Sequence, residues 1–497
     1  MLFAQLVILV IILMLLLCRF ANRLRGLPPG PTPWPFIGNA FQVPEDRIDT
    51  VLNEYKRIYG GIFTLWLPYP TVVIADYDML KRNIVKNGEA FSGRPDTFIM
   101  DMLVQGNYGL FFMENYWWKA QRRFTTHIFR SLGVGQAGTQ DTISSLASGL
   151  VEKIENENGK PLELRPFLVH VVGNVIHKHL FGFTREWNET EIHDFHVAIN
   201  DVLEHFTSPK TQLLDAWPWL AYLDKPLSLG IPNTTRANDA ILQTLEQALA
   251  KHKSGINYDE EPSSYMDAFL KEMKIRAAES AVADGFTEKQ LIVAIYDLYS
   301  AGMETIIIVI RFAFLYLVNN PETQRKIHAE LDEHIGRDRQ VVMDDQKHLP
   351  YTCAFLQEVY RLGYVLPVNF LRSTLEDVDN CEGYRLKAGT RIIAQFQSVH
   401  VDKQHFDDPH VFRPERFLNE KGEYVRDDRI NPFSMGKRSC LGENLARMEV
   451  FLYFCTLLQN FEWHTNGEQP PPISVITSSL RAPKPFLLCA SRRRSDK

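Results

Sequence analysis

The stretch DLYSAGMETIIIVIRFAFLYLV, Asp297 to Val318, limits the fold more than any other part of the chain. Read as a helix it is apolar on nearly every side. Such a helix has no face to offer to water, so it belongs in the middle of a large protein. Ala301, Gly302, Glu304 and Thr305 interrupt it. Ser and Thr in helices often bond back to the carbonyl four residues earlier, and a glycine nearby loosens the turn, so water can insert there. The polar residues here also read as groups that merely satisfy one another in a core. A chain of 497 residues, 45% hydrophobic and 23% charged, has enough apolar material to surround such a helix.

A second apolar run lies at the amino end. Leu2 to Cys18, interrupted only by Gln5, spans about 26 Å as a helix, at the lower edge of a bilayer crossing. Arg19, Arg23 and Arg25 follow it, whereas a cleaved signal peptide carries its basic residues ahead of the run and a small-residue cleavage site behind. By the positive-inside rule the arginines, and everything after them, stay cytoplasmic. Residues 1–20 thus read as a signal-anchor transmembrane helix and residues 21–39 as a basic, proline-rich hinge. Prolines 28, 29, 31, 33 and 35 make that hinge a stiff tether. On this topology the sequons at Asn188 and Asn233 stay bare. The six cysteines show no paired spacing, so neither a disulfide framework nor a zinc site is indicated. A net charge of -6 argues against nucleic-acid binding.

Residues 40–497 read as a single unit, mostly α with small β-sheets at its edges. Gly61 to Asp76 alternates like a hairpin turning at Pro68 and Pro70, the pattern from about Asp101 to Asn319 is helical, and short strands return at Gly383 to Ile393 and near the carboxyl end. The proline-broken stretch Phe206 to Asn233 carries Trp217, Trp219, Leu220 and Tyr222. It reads slightly better as buried core than as a segment dipping into a membrane interface, where Trp and Tyr concentrate.

Four further stretches carry chemistry. FSMGKRSCLG, Phe433 to Gly442, sets Cys440 between two glycines and beside Lys437 and Arg438; a tight loop and a basic pair favour the thiolate, the form that binds metal. Spacing alone does not separate that reading from an incidental surface cysteine. FLQEVYR places Glu358 and Arg361 on one helical face, and PERF adds Arg416, a second guanidinium for the same carboxylate in a buried lock. NYWWKAQRRF puts Trp118 and Arg122 four apart, an indole N–H and a guanidinium that can donate to one carboxylate.

Taken in order, W-x-x-x-R, A-G-x-E-T, E-x-x-R, P-E-R-F and F-x-x-G-x-R-x-C-x-G resemble the cytochrome P-450 family of haem-thiolate monooxygenases across essentially the whole chain. The wording of DLYSAGMET, FSGRP and NPFSMGKRSCLGENLARME is similar to the animal microsomal enzymes that oxidise drugs, steroids and fatty acids. The resemblance implies the cytochrome P-450 fold and haem b (iron protoporphyrin IX) with Cys440 as axial thiolate, shielded by Phe433. It implies propionate contacts from Trp118, Arg122 and Arg438, with Arg94 and Arg372 as further partners. It makes Glu304 the acid and Thr305 the alcohol of proton delivery.

The resemblance also implies one atom of O2 inserted into an apolar substrate, with electrons from NADPH through a flavoprotein reductase, cytochrome b5 as a second partner, and a place on the endoplasmic reticulum membrane. Lys119, Arg123, Lys437 and Arg447 are candidates for a basic docking face. Phe111, Phe112 and Met113, the helix around Tyr296 to Ala301, Val368 to Leu371, and Ile476 to Thr477 fall in the family's pocket segments. His400-Val401-Asp402 departs from the H-R-D of many relatives and puts a local ion pair in doubt. A fatty-acid hydroperoxide isomerase or dehydratase of the same fold, and a non-catalytic haem-binding or gas-sensing protein, are the alternatives.

Overall fold

A computed structural model of the chain describes residues 5, 26–35, 37–67, 69–206, 214–227, 229–278, 285–465, 467 and 469–493. Apart from Gln5, the apolar run expected to anchor the chain lies outside the described residues, as does Pro68. The fold resolves into two compact units: Met1–Pro95 with Val368–Asp402 and Ser434–Ser439, and Asp96–Pro367 with Lys403–Phe433 and Cys440–Lys497.

The first unit is built on a four-stranded sheet. Strand Ile62–Leu67 pairs antiparallel with Tyr69–Ile74, so the expected hairpin is present, although Pro70 lies within its second strand opposite Trp66. Arg391–Ala394 then runs parallel to Tyr69–Ile74, and Arg372–Ser373 closes the edge. Alternate residues point to opposite faces, and both faces are covered. Phe63, Leu65, Val73 and Ile393 join Val51 and Leu52 on one side; Ile62, Val72, Ile74, Ile392 and Ala394 join Leu80, Ile84 and Phe91 on the other.

The proline-rich stretch is no free tether here. The Thr64 amide donates to the Pro29 carbonyl at 2.9 Å, and Asn39 and Trp66 exchange bonds, amide to carbonyl and amide to Asn39 Oδ1, both at 2.8 Å. A Cβ on Gly30 would sit 2.0 Å from the Thr64 carbonyl oxygen. Proline stiffens this segment, but backbone bonds to the first strand fix its course. The H-V-D departure keeps an ion pair, because Lys56 reaches Asp402.

The second unit is mostly helical, and it carries the expected strands near the carboxyl end as two antiparallel pairs, Phe461–His464 with Cys489–Arg492 and Val475–Thr477 with Arg481–Pro483. Its central element, Glu288–Asn319, is buried along most of its length and, among the described residues, is the one helix long and apolar enough to cross a membrane. Buried all round by protein, it is the core helix that its sequence predicts. It does not loosen at Gly302: the helix runs unbroken from Glu288 to Asn319. The glycine instead allows close packing, since a Cβ there would lie 3.1 Å from Ile176 Cγ1 on the Arg165–Phe181 helix. Gly173 on that helix answers it: a Cβ would meet Met303 Cε at 3.0 Å and Ile192 Cγ2 at 2.4 Å. Thus two glycines let three helices cross at short range, the third being Glu191–Phe206.

The expected carboxylate lock is present. Glu358, fully buried, accepts from Arg361 at 2.6 and 2.7 Å, from Arg416 Nε at 3.1 Å and from the Arg413 amide at 2.9 Å. The Phe206–Asn233 stretch departs in part from the buried-core reading: Leu214 and Leu229 are buried and Trp217 and Leu220 half-buried, but the middle of the stretch is not. Trp219 is 57% exposed and Tyr222 92%, with Leu223 and Leu227 also exposed, because a short 3-10 turn at Pro218–Leu223 turns these side chains outward.

Candidate functional site

Cys440 closes its loop through its own amide, which donates to the Phe433 carbonyl at 2.9 Å. The sulfur accepts from the Gly442 amide, and Gly442 caps the Glu443–Asn460 helix. The side chain is solvent-accessible. Burial of the sulfur nevertheless raises the thiol's pKa, opposed by the Gly442 bond and by Arg122 and Arg447. The basic pair beside it in sequence does not make this a low-pKa thiol, for reasons of geometry: Lys437 pairs with Glu89 at 2.9 Å, and Arg438 Nε donates to the Ser92 carbonyl at 2.9 Å. Gly436 does need to be glycine. Its φ is +72°, and a Cβ would fall 2.1 Å from the Ile84 carbonyl oxygen. Gly442, at φ -93°, has no such need.

Phe433 packs its ring on Tyr360 at 5.8 Å, and the Arg447 guanidinium lies 4.7 Å from it. Arg447 also bonds Glu443 at 2.9 Å; Lys119 and Arg123 are exposed. Trp118 is buried, with the Arg122 guanidinium 5.6 Å from its ring. Burial pulls the Arg122 pKa down, opposed by the Cys440 sulfur.

A guanidinium removed from water beside an accessible sulfur that accepts an amide bond is a donor set suited to a ferric haem, which brings both a metal for the sulfur and carboxylates for the arginine. The first unit holds the other expected partners. Arg94 Nη1 donates to the carbonyls of Phe370 and Leu371, Arg372 Nη2 to Ser434 Oγ and the Met435 carbonyl, both at 3.0 Å, and Arg438 is buried.

Glu304 and Thr305 sit at the helix crossing. Thr305 Oγ1 bonds back to the Ala301 carbonyl at 2.8 Å, the pattern its sequence suggests. Glu304 is buried and doubly held: Arg165 Nη2 donates to its two oxygens at 3.0 and 3.1 Å, and His196 Nε2 lies 2.6 Å from Oε2. Burial raises its pKa, but the His196 bond and the Arg165 charge outweigh it, and the carboxyl ends below its ordinary value. Sequence reading missed Arg165 and His196. They come from two other helices, and no spacing links them to A-G-x-E-T.

It also missed the polar face nearer the start of the long helix. Gln290 and Asp297 reach the loop that carries Phe111 and Phe112: Gln290 Oε1 accepts the Gly109 amide at 2.9 Å, and Asp297 Oδ2 accepts those of Leu110 and Phe111 at 2.6 and 3.0 Å. Of the other expected pocket residues, Thr477 is buried and Ile476 is 51% exposed in the second unit, while Val368 and Leu371 pack into the core of the first.

A family model for cytochrome P450 matches residues 28–490. The chain is 87% identical over 493 residues, 99% of its length and 100% of the relative's, to a probable cytochrome P450 CYP36A1 of Caenorhabditis elegans. It is 33% identical to cytochrome P450 2C7 of Rattus norvegicus over 96% of both chains, and 34% identical to cytochrome P450 2C70 of the same species over 94% of both. Matches that span nearly the full length of each protein, on a mostly helical fold with small sheets, show that this chain belongs to the cytochrome P450 family of haem-thiolate oxygenases, which draw electrons from a redox partner.

Proposed function

We propose that this chain is a monooxygenase that inserts one atom of O2 into an apolar organic substrate, of the fatty-acid, steroid or xenobiotic kind, with electrons from NADPH delivered by a flavoprotein reductase and with cytochrome b5 as an accessory donor. The observation that carries the reading is the accessible Cys440 sulfur, bonded by the Gly442 amide and electrostatically coupled to Arg122. Cys440 would supply the thiolate to the iron of haem b; Trp118, Arg122 and Arg438 would hold its propionates, with Arg94 and Arg372 as further partners. When bound, a haem-thiolate supplies oxygen activation, because the thiolate favours O–O cleavage.

The chain's own residues do the rest. The Gly442 amide stabilises negative charge on sulfur, and Phe433 limits water at the loop. Glu304, ionised while paired with Arg165 and His196, can take up a proton from water and pass it on once it parts from them, and the Thr305 hydroxyl holds water at Ala301. The intact A-G-x-E-T run and this proton-handling pair favour oxygenation over hydroperoxide rearrangement. Lys119 and Arg123 offer a basic face to an acidic reductase. The amino-terminal run anchors the chain in the endoplasmic reticulum membrane, with the catalytic unit facing the cytoplasm.

The test is replacement of the ligand. Cys440→Ser and Cys440→His, reduced and exposed to carbon monoxide, are expected to lose the red-shifted absorption of thiolate-bound haem; its survival in either variant rejects Cys440. Turnover that needs O2, NADPH and added reductase separates this reading from both the reductase-independent isomerase and the gas sensor.

A further inference from the structure

We propose that Glu443 and Arg447 are positioning residues whose opposed charges set the electrostatic potential at the Cys440 sulfur, and through it the potential at which the bound haem takes up an electron. The inference rests on the reading of Cys440 as the thiolate ligand.

The helix that follows the cysteine loop carries both groups. Glu443 is the first residue of the Glu443–Asn460 helix, where the free amide ends favour a carboxylate, and Arg447 stands four residues on, along the same face. Arg447 Nε donates to Glu443 Oε1 at 2.9 Å. Its guanidinium carbon lies 4.7 Å from the centre of the Phe433 ring and 5.0 Å from that of Tyr360, and the two rings stand 5.8 Å apart at 60°. A planar cation set against two aromatic rings and a carboxylate is held in one place, as a lysine ammonium would not be. Tyr360 is itself buried, on the Pro350–Leu362 helix that carries the carboxylate lock. Phe433 is also the residue whose carbonyl takes the Cys440 amide. The ring that steadies the guanidinium and the bond that shapes the cysteine loop thus belong to one residue.

The two charges reach the sulfur with opposite signs. Beyond burial and the Gly442 bond, the Glu443 carboxylate favours the protonated thiol, whereas Arg122 and Arg447 favour the thiolate. The neighbouring phenol feels the same opposition: burial raises Tyr360, Arg447 works against this and Glu443 adds to it. Arg426, 60% exposed, comes within 3.9 Å of Glu443 Oε1 on the outer side. Glu443 and Arg447 are 31% and 29% exposed, so water screens each of them in part. Reduction adds one electron to the iron and its thiolate. A nearby cation favours the more negative, reduced form, and a nearby anion opposes it. The intact pair therefore holds the potential between the values that either charge alone would impose.

The experiment is a dye-mediated titration of the full haem-loaded chain with dithionite, in the absence of a redox partner, so that a weakened docking surface does not enter. Arg447→Gln should lower the potential and Glu443→Gln should raise it, each by about two- to tenfold in the equilibrium constant, tenfold being about 59 mV for one electron. The double variant should return close to wild type, and Arg447→Lys should fall between wild type and Arg447→Gln. Tyr360→Leu, which removes a ring and neither charge, should move the potential in the direction of Arg447→Gln and by less. Shifts of one sign in both single variants, or no shift in either, overturn the proposal, since a merely structural pair has no reason to act with opposite signs. Should Arg447→Gln fail to hold haem, Glu443→Gln and Arg447→Lys still decide by their opposite signs. A wild-type protein whose reduced, carbon monoxide-bound spectrum lacks the red-shifted absorption overturns the Cys440 reading and the proposal with it. The red-shifted band with unmoved potentials overturns the proposal alone.

Discussion

Thr305 and Glu304 are neighbours with different attachments: the hydroxyl is tied to its own helix, and the carboxylate is tied to two others. Thr305→Ala removes a bond worth about 1 kcal/mol at most, so the fold, haem content and substrate binding should stay near normal. Product per NADPH should fall and released hydrogen peroxide should rise, by a factor on the scale of the 10²- to 10⁴-fold typical of a positioned proton donor, roughly speaking. NADPH consumed, peroxide released and product formed in one reconstituted system check this; an unchanged product yield makes Thr305 a helix-bonding residue only.

Glu304 makes a different prediction. Its pKa lies below its ordinary value, so the stability it gives is present above that value and is lost as pH falls through the range below about 4.5. In Glu304→Gln, thermal unfolding should lose this acid-side dependence, and an acid limb identical to wild type would place the pairing elsewhere.

Among elements, the helix crossing and the carboxylate lock are two closely fitted joints. Gly173→Val adds bulk where a Cβ is already 2.4 Å from Ile192. It should cost about 1–3 kcal/mol as overpacking, read as a lower unfolding midpoint in denaturant. Glu358→Ala is the harsher change, because it leaves Arg361 and Arg416 charged and buried without their carboxylate; about 3–5 kcal/mol is expected, seen as loss of folded haem protein.

The lock was legible in sequence, since E-x-x-R fixes two of its members one helical face apart, and so was the core helix, whose all-round apolarity leaves it no other place. The hairpin and the late strands followed from alternation. What sequence did not show lies where distant segments meet. Arg165 and His196 reach Glu304 from separate helices, and Asp297 reaches amides nearly two hundred positions earlier in the chain, about 187 residues by its own bond. Gly302 shows how a local rule misleads: glycine does loosen an exposed helix, but here close packing against Ile176 holds the turn.

At the scale of the whole molecule, the aromatic outcrop at Trp219 and Tyr222 bears on how the protein sits at a membrane. Exposed tryptophan and tyrosine beside leucine favour a bilayer interface. Deleting residues 1–26 should leave a folded, haem-containing protein that still pellets weakly with lipid vesicles, and Trp219→Ser with Tyr222→Ser should abolish the remainder. Full solubility of the deletion alone would remove this segment from the membrane surface. The four-stranded sheet has a consequence in time. Its strand Tyr69–Ile74 takes Arg391–Ala394 as parallel neighbour, Thr71 opposite Arg391. At about 5–20 residues per second the ribosome needs on the order of half a minute to reach that partner. Until then the nascent chain, held at its amino end if the anchor is inserted, carries an open strand edge rich in valine and isoleucine, the kind of edge that pairs with other chains. A ribosome-stalled chain ending at residue 367 should therefore bind chaperones or aggregate, and one extended past residue 439 should not.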